Sequence, residues 1–477
     1  RIPTLDRSNQ ELTEFPAEAL DRPWTTKLVL SKNRIASLPE QLWTSFDALE
    51  QLDLSYNQLE GLPESANSLA TLKVLALAGN RLSAFPTQLG GMSALVNIDL
   101  CNNFLTAVPP CIFTLSALKK LNVERNQITE IPADINNLSD LEQLIISNNR
   151  LKNLPELNLP ALVELSAQKN ELINLESGTL SNLSALTRIN LSHNELHTLP
   201  NSFEKLNLLE DINLNHNMLA SLPDTLFSEL EEPRLTELRV RNNRLSVLPA
   251  ELWYVTSLQV LELTSNRLTD IPPDVSNLVE LRELLLGDNR LAALPNQLSA
   301  LASLTTVNVF GNCLADFPSV FDCLQSCSQL YFAYNNLAAL PDMSPIAYSL
   351  TVLFLNGNTA LGMTSLDGLT MLSSLTHLYA SNTGMEGDLT ESILALTSIE
   401  VLDLSHNAIT SIPAGLHKLS SLQQINLSHN QLSSFPFEAP QDEAVEEEDD
   451  GYGGGGGAWS NLVELDLSHN NIAEFPE

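Results

Sequence analysis

The chain repeats one alternation of apolar and polar positions about twenty times, usually every 23 residues. It reads LVLSKNRIASLP at 28–39, LDLSYNQLEGLP at 52–63, INLSHNELHTLP at 189–200, LELTSNRLTDIP at 261–272 and LDLSHNNIAEFP at 465–476. Apolar residues two apart predict a short strand, with the leucines facing a core and the residues between them facing the other way. The asparagine that follows is expected to turn inward, its amide serving backbone groups that have no ladder partner; leaving such a buried group unsatisfied costs about 1–3 kcal/mol. The closing Leu-Pro starts a return path, since proline fixes φ and cannot continue a strand. Stretches such as PAELWYVTSLQVL (249–261) carry helix-like apolar spacing and predict a short helix or 3₁₀ turn on the opposite side.

Counted at the asparagine position, the series runs from Gln10 through Asn33 and Asn57 to Asn470, twenty positions over 460 residues. Stacked units share one continuous core, so residues 1–477 read as a single α/β solenoid with a parallel concave sheet and short helices or 3₁₀ turns on its convex side. Twenty strands at about 4.8 Å imply an inner arc of roughly 95 Å. Two places break the period. Over 359–388 Thr383 replaces the asparagine and the Leu-Pro is missing. Over 440–457 an acidic run is followed by five glycines; this insertion cannot bury apolar surface and is expected to be disordered, either a tolerated loop or a tether for a basic partner. Neither end shows a polar cap, so capping structure or further domains are expected outside the segment.

The L-x-L-x-x-N-x-L-x-x-L-P pattern is similar to the leucine-rich-repeat signature. The 23-residue spacing and Leu-Pro ending resemble the intracellular Ras-suppressor class. That class includes the Ras-binding phosphatase scaffold, Scribble- and Erbin-type proteins, and the repeat regions of fungal adenylyl cyclases and PH-domain leucine-rich-repeat phosphatases. Residues 382–407 look like the plant-type variant of the repeat, with Gly387 at its turn. The resemblance implies a non-catalytic interaction scaffold or recognition module working through its concave face, with a small GTPase or a phosphatase among the partners. It implies no shared functional residues. Two alternatives stay open: the regulatory arm of a phosphatase or adenylyl cyclase whose catalytic domain lies outside the segment, and a structural subunit of a large assembly.

Charge narrows the partners. The formal net charge is -34, and about -27 without the seven carboxylates of Asp442–Asp450. Such a field repels phosphate backbones and favours basic proteins over nucleic acid. No apolar run reaches 18 residues, so no membrane span is expected. Extracellular relatives have cysteine clusters at both ends. Here Cys101, Cys111, Cys313, Cys323 and Cys327 lie away from the ends, which favours a reducing, cytoplasmic setting. Cys323 and Cys327 read as ordinary thiols, and His193, His216, His406, His429 and His469 as repeat filler. No nucleophile–base pair, cofactor motif or metal site stands out.

The unusual surface lies in the middle repeats. Positions between or just after the leucines are mostly small or polar, but four consecutive repeats carry Phe310, then Tyr331 and Tyr334, then Phe354, then Tyr379. Tyr331, Phe354 and Tyr379 share one column and are expected to stack about 5 Å apart as an exposed interface anchor, unless they only shield the irregular repeat. Before them lie Arg239, Arg241 and Arg244, with Arg267 and Arg290 continuing the last column. These arginines either steer an acidic group of a partner or pair with Glu237, Glu262, Glu283 and Asp288.

Overall fold

The structure, a computed structural model, describes residues 3–63, 65, 69–85, 87–227, 232–316, 324–437 and 459–475. The insertion expected over 440–457 and the residue Cys323 lie outside the described residues. The chain divides into two compact units, residues 1–244 with 248–252 and residues 245–247 with 253–477. Each repeat contributes one strand of three residues to the main sheet. The first unit holds eleven described strands, from Thr4–Asp6 to Glu237–Arg239, and the second holds nine in its main sheet, from Val260–Glu262 to Glu464–Asp466. The described pairings of the main sheet are parallel and in repeat register: Leu28 faces Leu52, Leu330 faces Leu353, and Leu353 faces Leu378. These central leucines are buried, as the alternation requires.

Opposite the sheet, the return segments form 3₁₀ turns such as Ala133–Asn137, Pro273–Asn277 and Asn296–Ala300. Pro132 stands ahead of the first in an extended conformation (φ -73°, ψ 158°) and its carbonyl accepts from the Ile135 amide. The fixed proline φ aims the chain away from the strand, and the short return closes mainly with i→i+3 bonds. The fold is therefore the α/β repeat coil that the pattern predicts, with 3₁₀ turns as its outer elements.

The repeat asparagines join one turn of the coil to the next. Asn335 donates from Nδ2 to the carbonyls of Val309 in the preceding repeat and Phe332 in its own, both at 3.0 Å, and its Oδ1 accepts from the Leu314 amide at 3.1 Å. The Thr383 hydroxyl donates to the Ala380 carbonyl of its own repeat at 2.8 Å and reaches Asn407 Oδ1 of the following repeat at 3.4 Å, in place of the asparagine's bond to the preceding one. The irregular stretch has compensations. A seven-residue 3₁₀ element, Met363–Leu369, replaces the usual return, and Glu386–Asp388 pairs with Ala408–Ser411 in a second, two-stranded parallel sheet. Gly384, at φ +72°, lets the backbone close against the Thr359 carbonyl, where a Cβ would overlap.

Candidate functional site

In each strand the third residue points out of the sheet, and in many repeats it is Asp or Asn with a local task. Asn190 accepts from the Ser192 amide at 3.0 Å, Asn308 from Phe310 at 3.2 Å, Asp403 from Ser405 at 3.0 Å, Asn426 from Ser428 at 3.0 Å and Asp466 from Ser468 at 2.9 Å. These side chains close the turn that leads into the asparagine. In three consecutive strands of the second unit an aromatic ring takes that place instead.

Register aligns them: Tyr331 faces Phe354 across Gln329–Tyr331 and Val352–Phe354, and Phe354 faces Tyr379 of His377–Tyr379. Their rings stack with centroids 4.6 and 4.3 Å apart and planes within 13° and 7° of parallel. All three remain half-exposed. The Tyr331 hydroxyl donates to Gln329 Oε1 at 3.0 Å. Burial raises both phenols above their ordinary pKa, and at Tyr379 the neighbouring Asp403 adds to the effect. His377 sits beside Tyr379, ring centroids 6.4 Å apart.

Phe310 and Tyr334 occupy the two following columns. Tyr334, 62% exposed, lies on the backbone of Gly357, where a Cβ would come within 2.5 Å of its ring. Phe310 lies in the same way on Gly287. The aromatics thus rest on glycines of adjacent repeats, a support that the composition alone did not reveal.

The arginines fall in both units. Arg239, in the first unit, is held between Asp211 at 3.3 Å and Glu237, and is half-buried, so pairing accounts for it. Burial pushes the Asp211 carboxyl up, and Arg239 opposes that. Arg241 and Arg244, also in the first unit, and Arg267 and Arg290, in the second, are exposed. Histidines stack in the column beside them: His193 on His216 at 4.2 Å in the first unit, and His406, His429 and His469 at 4.1 and 4.0 Å in the second. Burial first, then their histidine neighbours, lowers the pKa of His216 and His429. Among the described residues no group of His, Cys, Asp and Glu has metal-site geometry. Cys101, Cys111, Cys313 and Cys327 are free thiols, and burial pushes Cys327 up to about 12.

One feature escaped the sequence reading. Where the aromatic stack ends at Tyr379, a surface cavity of about 170 Å³ opens, walled by Tyr379, Val401, Asp403, Asn426, Glu464 and Asp466. The signal that could have found it is the column itself, which runs Tyr379, Asp403, Asn426, Asp466 across neighbouring strands.

A coil of strand–turn–3₁₀ units with an open, side-chain-bearing sheet face defines the leucine-rich-repeat class. Leucine-rich-repeat family models match residues 24–82, 93–151, 160–219, 233–291, 388–432 and 461–477, and the chain belongs to that family. It is similar to the plant peptide hormone receptor RGFR1 solved with RGF2, at 25% identity and TM-score 0.74, over 98% of this chain and 78% of that one. It is also similar to the Arabidopsis receptor kinase HAESA solved with the peptide hormone IDA and the co-receptor SERK1, at 28% and 0.64, over 98% and 82%. YopM from Yersinia enterocolitica matches at 26% and 0.62, over 100% and 89%. A curated relative, the adenylate cyclase of Podospora anserina, is 41% identical over 112 residues; these are 24% of this chain and 5% of the cyclase. No helix among the described residues is long and apolar enough to cross a membrane.

Proposed function

We propose that the chain is a non-catalytic recognition module whose second unit binds a segment of a protein partner on its open sheet face. Tyr331, Phe354 and Tyr379 are the anchor of that site, with Phe310 and Tyr334 at its margin. The observation that supports this most directly is that the stack occupies the position at which many other repeats carry an Asp or Asn that closes the turn. Three successive repeats forgo a local bond to present half-exposed rings, and clustered exposed aromatics are typical of interface hot spots. RGFR1 and HAESA, solved with peptide hormones, offer a parallel on the same fold. We place the chain in the Ras-suppressor class by its 23-residue spacing and Leu-Pro ending, as a cytoplasmic scaffold, with a small GTPase, a phosphatase or another protein with a basic patch as partner. Arg241, Arg244, Arg267 and Arg290 are assigned a steering role only; Arg239 is assigned none.

The test is quantitative affinity purification from the native cell extract, comparing wild type with Tyr331→Asn/Phe354→Asn. Asparagine is the resident of that column in other repeats, so the fold should tolerate it. Loss of a saturable partner at least about tenfold is expected for a hot spot. Equal recovery from both proteins would remove the stripe as the anchor.

A second reading has its own observation, the 41% identity over 112 residues to a fungal adenylate cyclase. On that reading the coil is the regulatory arm of a larger cyclase. Full-length transcripts decide it: a reading frame that closes without a catalytic domain on either side would end this alternative.

A further inference from the structure

We infer that the cavity beside Tyr379 takes a basic side chain, an arginine in preference to lysine, from an extended partner segment whose apolar residues lie on the aromatic stripe. This deepens the proposed function and rests on it, since the stripe supplies the rest of the binding energy.

The stack has two outer faces, that of Tyr331 toward Asn308 and that of Tyr379 toward Asp403, and only the second meets a carboxylate. Phe354 covers one side of the Tyr379 ring, while the residue paired with Tyr379 on its other side is Asp403. A planar guanidinium can lie on an aromatic face and direct its N–H groups to a carboxylate in the same plane, which an ammonium does less well. The cavity at that place measures about 170 Å³, more than ten times the roughly 10–15 Å³ that a single water requires. Asp403 and Asp466 stand on either side of Asn426, two strand spacings or about 10 Å apart, and Glu464 lies two residues before Asp466. Among the described residues none of these three carboxylates is paired with Lys or Arg.

Charge complementarity identifies the occupant. From residue 291 to residue 477 the sequence contains 21 Asp or Glu, a single lysine (Lys418) and no arginine. The aromatic stripe and the cavity both fall in that stretch. The basic groups of this chain that act on the cavity's carboxylates are His429 and His469, beside Asp466, so a permanent cation comes from outside, and an anionic segment would be repelled. Geometry sets the spacing. From Phe354 to Asn426 is three strand steps, about 14 Å, or roughly four residues of extended chain. The expected recognition pattern is an apolar or aromatic residue followed three to five positions later by arginine.

The experiment pans a phage-displayed library of random twelve-residue peptides on the full chain and measures selected synthetic peptides by titration. Three proteins are compared: wild type, Tyr331→Asn/Phe354→Asn, and Asp403→Asn/Asp466→Asn. The last keeps an Oδ1 for each turn, as Asn426 does, while removing both charges. Selected peptides should carry the apolar–arginine pattern. Their affinity should fall about tenfold to a hundredfold in either variant, and by a similar factor when citrulline replaces the arginine. Peptides weakened by the aromatic variant alone, or selected without a basic residue, overturn this inference and leave the aromatic anchor standing. Peptides indifferent to both variants, or no enrichment on wild type, overturn both.

Discussion

Replacing the middle ring of the stack with asparagine should cost the second unit less than replacing it with alanine. The Phe354 ring lies 4.6 Å from Tyr331 and 4.3 Å from Tyr379, so its loss removes two stacked contacts. At about 0.5–1.5 kcal/mol each, these amount to roughly 1–3 kcal/mol. Asparagine restores the bond that Asn308 and Asn426 make in their own repeats, at 3.2 and 3.0 Å to the amide two residues on. One net hydrogen bond returns about 0.5–1.5 kcal/mol, which leaves a change between a gain of about 0.5 and a loss of about 2.5 kcal/mol. Phe354→Ala loses the same rings and gains no turn bond. The asparagine variant should therefore exceed the alanine variant by about 1 kcal/mol. Urea titrations of both, followed by circular dichroism, measure the difference, and equal slopes would show that the unfolding transition is unchanged. An alanine variant at least as stable as the asparagine one would refute the turn-closing role assigned to this column.

Three further outcomes follow from the same geometry. Leu263, fully buried, should cost about 2–5 kcal/mol as Leu263→Ala, read by the same titration, because it leaves a cavity in the shared core. Asn335→Ala strips the Leu314 amide of its acceptor and two buried carbonyls of a donor; it should destabilise by at least about 1–3 kcal/mol and speed hydrogen exchange at Leu314. His429 has a folded-state pKa below its ordinary 6.5, so the unfolded chain binds protons first, and stability falls as pH drops below about 6.5. His429→Asn, with asparagine already at positions 102, 148 and 382 of that column, should flatten the dependence of Tm on pH between 7.5 and 5.5; an unchanged slope would exclude the histidine stack as its source.

Much of this was legible in the chain because the period does the placing. Once leucines recur 23 residues apart in a strand pattern, Leu330, Leu353 and Leu378 must share a core row, and Tyr331, Phe354 and Tyr379 must share the row beside it. The asparagine ladder followed from the same logic. What stayed hidden depends on neighbours that the repeat does not dictate. The alternation cannot show that Asp211 and Glu237 both close on Arg239, nor that Gly287 and Gly357 are the floors under Phe310 and Tyr334. The cavity was hidden by the 40-residue step before Asn470, which separates Asp466 in sequence from a strand it lies against in space. The pairing of Glu386–Asp388 with Ala408–Ser411 arises where the period fails, and an irregular stretch predicts no register.

Thr383 also has a mechanical meaning. Elsewhere a side-chain amide ties each repeat to the one before it; here that tie is absent, and a hydroxyl serves its own turn and the repeat after it. Under load, a chain of identical links parts where one rivet is missing, and this gap lies between the repeat of Phe354 and that of Tyr379. A peptide laid from Phe354 across Tyr379 to Asp403 would bridge the weak joint as a splint does a fracture. Pulled in a single-molecule trap, the second unit would then rupture at higher force with its peptide bound than without it.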